Sequence, residues 1–73
     1  MNNLAMVNLE SIGRKIALLR AKRGMSQEDL AAEADINRGY ISRIENGRVA
    51  FSVPVLLKIS DALSVEAKTL FES

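Results

Sequence analysis

The chain has no cysteine, no histidine and no tryptophan, a single proline, and one tyrosine and two phenylalanines as its only aromatic residues. Without cysteine, neither a disulfide nor a thiolate metal site can brace the fold. The absence of histidine removes the commonest general base and the commonest metal ligand, leaving only Ser, Thr, Tyr, Lys and carboxylates for chemistry. The chain is therefore expected not to be an enzyme and to hold neither metal nor cofactor. No apolar run approaches the ~20 residues that a membrane-spanning helix needs. The opening MNNLAMVN also lacks the basic segment and apolar core of a signal peptide. No membrane contact and a cytoplasmic location are the expectation.

At 73 residues the chain has room for one domain, able to bury only roughly 60 to 65% of its unfolded surface. Ten Lys and Arg nearly balance nine Asp and Glu, so the net charge of +1 says little about partners. Distribution says more. Between Ile12 and Arg48 eight cations stand against five anions, whereas residues 49–73 carry two cations and three anions. Such an asymmetry suits a nucleic-acid face, and equally a solvated charged helix.

Periodicity and punctuation predict helices throughout. Leu9, Ile12, Ile16 and Leu19 form one stripe of a first helix over Leu9–Arg23, closed by Gly24 in a left-handed cap. Ser26 caps a second helix, with Glu28 and Asp29 at its positive end and Leu30, Ala31 and Ala34 inside. Asp35, Ile36 and Asn37 make a turn, and Asn37 can cap a third helix over Arg38–Asn46 that buries Ile41 and Ile44 and ends at Gly47. Ser52 and Pro54 open a fourth helix that runs to Leu63 on the stripe Leu56, Ile59 and Leu63. A fifth, Glu66–Phe71, brings Leu70 to the core. The expected architecture is all-α and compact, with five helices: a flexible N-terminal arm over 1–8 and a domain over 9–73.

The run IALLRAKRGMSQEDLAAEADINRGYISRIENG resembles the phage-repressor and Cro-type (XRE-like) helix-turn-helix transcriptional regulators. The matching features are Leu19-Arg20, Ser26-Gln27, Leu30-Ala31, Tyr40-Ile41-Ser42, Ile44-Glu45-Asn46-Gly47, SVPVLLKISDALSV and the closing Leu70-Phe71. The resemblance spans about residues 9 to 71 and implies a lambda-repressor-like fold, with the helix-turn-helix at helices 2 and 3. Three departures stand out: Asp35 and Ser64 where the family commonly has Gly, and Glu66 where a small N-cap is usual. Ala31 is small where two helices cross closely. Asp at position 35 tolerates a left-handed backbone at a cost on the order of 1 kcal/mol.

From the resemblance, Arg20 and Glu45 pair across helices 1 and 3; the bland alternative is two ordinary surface charges. A helix of this kind reads the DNA major groove through residues near its N-terminal end. Here those are Asn37, Arg38, Gly39, Ser42 and Arg43. Arg38 and Arg43 are the candidates for guanine contact, or for phosphate instead; Asn37 either reads or only caps. Gly39 offers no side chain where a polar reader is common. Phosphate contacts fall to Gln27 at the start of helix 2 and to Asn46 and Arg48 beyond helix 3. The alternative for Gln27 is an ordinary first-turn polar residue, and Tyr40 either reaches a phosphate or packs beside Ile44.

One short recognition helix reads few base pairs, so a homodimer on an inverted repeat of double-stranded DNA is expected. Its interface is assigned to Val49, Phe51, Val55, Val65 and Phe71, with Phe71 open to a core reading. Within the family, a restriction-modification controller protein and a phage repressor both fit. Glu28, Asp29 or Glu33 could touch RNA polymerase, and no small-molecule effector is expected. The alternative function is an antitoxin-like or other protein-binding helical module; a minimal enzyme lacks any convergent catalytic set.

Overall fold

The computed structural model of the protein describes residues 8–72. Four α-helices follow in order: α1 (Leu9–Lys22), α2 (Gln27–Ala34), α3 (Arg38–Glu45) and α4 (Val53–Ala62), and a 3-10 helix (Ala67–Phe71) closes the chain. The expected arm over 1–8 lies outside the described residues except for Asn8, which caps α1. Among the described residues no helix is long and apolar enough to cross a membrane.

Each α-helix starts on a short polar side chain that accepts a first-turn N–H, at Ser26, Asn37 and Ser52 as expected and at Asn8 without having been expected. Asn8 Oδ1 takes the Ser11 N–H at 2.7 Å, and Asn37 Oδ1 takes that of Tyr40 at 3.2 Å. Ser52 Oγ accepts from Val55. At α2 the arrangement is reciprocal: Ser26 Oγ accepts from the Asp29 N–H at 3.0 Å, and Asp29 Oδ2 accepts from the Ser26 N–H at 2.9 Å. Hydrogen bonding from the Ser26 backbone, and then from its side chain, holds the Asp29 carboxyl below the usual carboxylate range.

The four helices also end alike. Gly24, Asp35, Gly47 and Ser64 all take positive φ, at 70°, 56°, 69° and 59°. The N–H that follows each returns to a carbonyl five residues back: Met25 to Arg20, Ile36 to Ala31, Arg48 to Arg43, Val65 to Ser60. This is the left-handed closure in which glycine is favoured. Two of the four lack it. For an L-residue the conformation costs about 1 to 2 kcal/mol, of which glycine's extra unfolded-state freedom gives back about 0.4 to 1 kcal/mol. Ser64→Gly is therefore expected to raise stability by about 0.5 to 1 kcal/mol in urea titration. Asp35→Gly should gain less, because Asp accepts the left-handed region better than Ser. A lower urea midpoint for Ser64→Gly would remove strain as the account of this turn.

The closing segment corrects the five-helix expectation. Over Ala67–Phe71 the chain makes i→i+3 bonds, Thr69 to Glu66 and Glu72 to Thr69, and not an α-helix. Glu66 supplies no side-chain cap, and the chain is already extended at Glu72. Five residues are too few to repay helix nucleation without that help. The turn still delivers Leu70 to the interior at 1% exposure.

Ile12, Ile16, Leu30, Ala31, Ile41, Ile44, Leu56, Ile59, Leu63 and Leu70 form one continuous core. α3 packs on both α1 and α2, α2 also packs on α4, and the closing turn bridges α1 and α4. The small Ala31 is buried at 6% exposure, and its carbonyl is used by the turn into α3. A feature with no counterpart in the sequence reading is Gly13, buried in α1. A Cβ built there would overlap the Ile44 carbonyl oxygen and stand 2.7 Å from that of Glu45. The backbones of α1 and α3 touch at this glycine.

Candidate nucleic-acid interface

α3 is held at one end by a polar cluster that involves three elements. Arg20, near the end of α1, donates from Nε to Glu45 Oε2 at 2.7 Å and from Nη2 to Glu45 Oε1 at 3.0 Å. Its remaining terminal nitrogen, Nη1, donates to the Met25 carbonyl at 2.8 Å. The two-point fork suits the planar guanidinium. Its hydrogen bond to Glu45, with ion-pair attraction behind it, holds Arg20 above the usual arginine range despite partial burial. The Glu45 side chain is 5% exposed and that of Arg20 19%. The pairing expected from the resemblance is present.

Gln27 completes the cluster in a way its sequence position did not reveal. Its side-chain Nε2 donates to Glu45 Oε1 at 2.9 Å. The first residue of α2 is thus tied to the last of α3. The Gln27 side chain, assigned to phosphate from sequence, spends one amide hydrogen inside the protein. Neither Met25 nor Gln27 could be paired with its partner by periodicity, because the first contact runs from α1 to the loop that follows it and the second joins α2 to α3.

The outward surface of α3 is of one character. Asn37, Arg38, Arg43, Asn46 and Arg48 are exposed, and Gly39, Tyr40 and Ser42 half-buried. Within the described residues the salt bridges are Arg20–Glu45 and an exposed Lys68–Glu66 contact, so Arg38, Arg43 and Arg48 have no acid partner within 4.0 Å. Some of the polar groups are locally engaged. Asn37 caps the helix, Asn46 Nδ2 donates to the Ser42 carbonyl at 2.8 Å, and the Tyr40 hydroxyl donates to the Ala50 carbonyl at 3.3 Å. The Arg43 guanidinium carbon lies 5.9 Å from the centre of the Tyr40 ring, within cation–π range.

Four of the residues assigned to self-association, Val49, Phe51, Val55 and Val65, are half-buried against the core. Phe71 is 49% exposed, so the core reading of that residue does not hold. Val53 and Leu57, 65% and 52% exposed and one turn apart on α4, are not among the residues assigned to self-association. Their signal was available: both fall off the Leu56, Ile59, Leu63 stripe and neither is polar. An open groove of about 430 Å³ is lined by Leu57, Lys58, Ser60, Asp61 and Val65.

Two short helices joined by a three-residue left-handed turn, with the second exposing unpaired arginines, define a helix-turn-helix protein. The helix-turn-helix family model matches residues 16–70, and the chain belongs to that family. It is 42% identical over 72 residues to the control protein C.BamHI of Bacillus amyloliquefaciens, covering 97% of this chain and 84% of that one. It is 43% identical over 60 residues to the control protein C.MunI of a Mycoplasma species, covering 81% of each. In three dimensions it is similar to the restriction-modification controller protein C.AhdI of Aeromonas hydrophila, with a TM-score of 0.85 and 35% identity over 86% of this chain and 96% of the other.

Proposed function

We propose that the chain is a sequence-specific DNA-binding transcriptional regulator of the restriction-modification controller kind, inserting α3 into the major groove of an inverted-repeat operator as a homodimer. The carrying observation is the segregation of charge on α3. Its one acid, Glu45, is turned inward and neutralised by Arg20, while Arg38 and Arg43 face outward without an acid partner. Exposed arginines on such a helix, Arg38 in its first turn and Arg43 in its last, suit bidentate contact with guanine O6 and N7. The backbone N–H of Gln27, at the start of α2, and the side chains of Asn46 and Arg48 fit phosphate contacts that fix the register. The names of the relatives support the same reading. It needs no catalysis and a cytoplasmic location.

The second copy is assigned to Val49, Phe51, Val55, Val65 and Phe71, with the exposed Val53 and Leu57 of α4 added to them. A two-fold axis there would set half-site centres about 34 Å apart. Glu28 and Glu33 on the outer side of α2 are the acids open to RNA polymerase, since Asp29 is engaged by Ser26.

The test is duplex binding with DNA from upstream of the chain's own gene, at two salt concentrations, with Arg38→Ala and Arg43→Ala beside the wild type. Each truncation is expected to cost about 1 to 3 kcal/mol of discrimination at one base pair. A phosphate contact would instead weaken all sequences evenly and flatten the salt slope by about one unit. No preference of the wild type for any inverted repeat over random DNA would end the regulator reading.

A further inference from the structure

Gly39 is the second residue of α3, where glycine is a poor helix former, and its backbone is ordinary helix. Positive φ occurs elsewhere, at Gly24, Asp35, Gly47 and Ser64. Conformational freedom is therefore no reason for it. Its surroundings suggest another. A Cβ at position 39 would lie 3.0 Å from Asn37 Oδ1 and 3.5 Å from Arg43 Nη1. The second distance is van der Waals contact: a methyl group would just meet the Arg43 guanidinium, and a larger side chain would need its place.

Arg43 is one turn further along the helix, and long helical side chains lean back toward the N-terminus. The ring of Tyr40, three residues before Arg43, flanks the guanidinium at 5.9 Å. The charge of Arg43 is thereby carried back along α3 to the level of Gly39, the residue that follows Arg38.

We infer that Gly39 is a specificity-determining residue that acts by leaving space, letting Arg43 fold back over Tyr40 so that α3 presents two arginines at the end that enters the groove. This rests on the regulator reading and deepens it. Arg43 touches the base; Gly39 and Tyr40 position it.

The test selects preferred sequences from a randomised duplex pool for wild type, Gly39→Ala, Gly39→Val, Arg43→Ala and Gly39→Val/Arg43→Ala, with a thermal melt of each. Alanine controls for crowding of the Asn37 cap and leaves Arg43 in place, so it should keep the wild-type preference. Arg43→Ala should lower discrimination at one position of each half-site by about 5- to 150-fold. Gly39→Val, whose branched side chain must enter the guanidinium's space, should lower it at the same position and add nothing there in the Arg43→Ala background. Retained preference in Gly39→Val, loss at a different position, or a further loss in the double variant would overturn the inference while leaving the regulator reading intact. A wild type that enriches no sequence overturns both. In the DNA-free protein, the Arg43 Nε–H resonance should carry a ring-current shift that Tyr40→Leu and Gly39→Val abolish. Its persistence in both variants would overturn the geometry even if Gly39→Val were too unstable to bind DNA.

Discussion

Gly13→Ala is expected to destabilise the protein by about 3 kcal/mol, although on helix propensity alone it should stabilise α1 by about 1 kcal/mol. The two arguments have opposite signs, and the contact geometry decides between them. The added Cβ would meet the Ile44 carbonyl oxygen, the Glu45 carbonyl oxygen at 2.7 Å and the Glu45 carbonyl carbon at 2.9 Å. All three are backbone atoms. No rotamer change relieves the overlap, so α1 and α3 must separate, taking Ile12, Ile16, Ile41 and Ile44 out of register. Overpacking in a close-packed core typically costs 1 to 3 kcal/mol, and rigid obstacles place this case at the upper end.

A domain of this size has a total stability of about 4 to 11 kcal/mol, and each kcal/mol moves the melting temperature by about 4 to 8 °C. The variant should therefore melt at least 10 °C below wild type in a thermal scan followed by circular dichroism. Gly24→Ala calibrates the scale, since that site has positive φ but no atom within 4 Å of the added methyl; it should lose only about 1 kcal/mol. Gly47→Ala combines both penalties, with φ at 69° and Glu10 Cα 2.8 Å from the new atom. A melting temperature for Gly13→Ala at or above that of wild type would mean that α1 and α3 are not in backbone contact.

These glycines mark the boundary of what the sequence discloses. Helix starts were legible because a cap and the N–H it receives are three residues apart: Asn37 and Tyr40, Ser26 and Asp29. The left-handed closures at Asp35 and Ser64 were legible as positions where the resembling family has glycine and this chain does not. The core stripes were legible because Ile12 and Ile16, or Leu56, Ile59 and Leu63, repeat at helical spacing. Gly13 was not, since its reason lies in the backbone of α3, more than thirty residues away. The Gln27–Glu45 bond was hidden likewise: a first-turn glutamine looks the same whether it faces a carboxylate or water. At the C-terminus, Leu70 was correctly placed inside and the helix type was wrong, because burial is a property of one residue whereas an α-turn needs a run with a cap. For the candidate interface, the residue types of α3 suggested what could be read; which of them are already occupied within the protein came only from the structure.

The largest effect on stability is expected from Arg20→Ala, about 3 to 5 kcal/mol, and it should exceed that of Glu45→Ala. Removing one partner of this part-buried ion pair leaves the other charge without compensation, and the two partners here differ in how they can escape. With Glu45 gone, Arg20 keeps the Met25 carbonyl, and its side chain, already 19% exposed, can reach water along a flexible stem. With Arg20 gone, the Glu45 carboxylate, 5% exposed, retains among the described residues only the neutral Gln27 amide as a hydrogen-bonding partner on its side chain. Glu45→Ala should then cost about 2 to 3 kcal/mol, within the desolvation penalty of orphaned hydrogen-bonding groups. The double variant Arg20→Ala/Glu45→Ala should lose less than the sum of the two single losses, with a coupling of about 1 to 3 kcal/mol from the cycle. Equilibrium urea unfolding of the four proteins measures it. Strictly additive losses would reduce the pair to two independent surface charges. Gln27→Ala should be mild by itself, about 1 kcal/mol for one hydrogen bond, because Arg20 still holds both Glu45 oxygens. Its larger consequence is mechanical: Gln27 opens α2 and Glu45 closes α3, so the same carboxylate that neutralises Arg20 also fixes the two helices of the unit against each other.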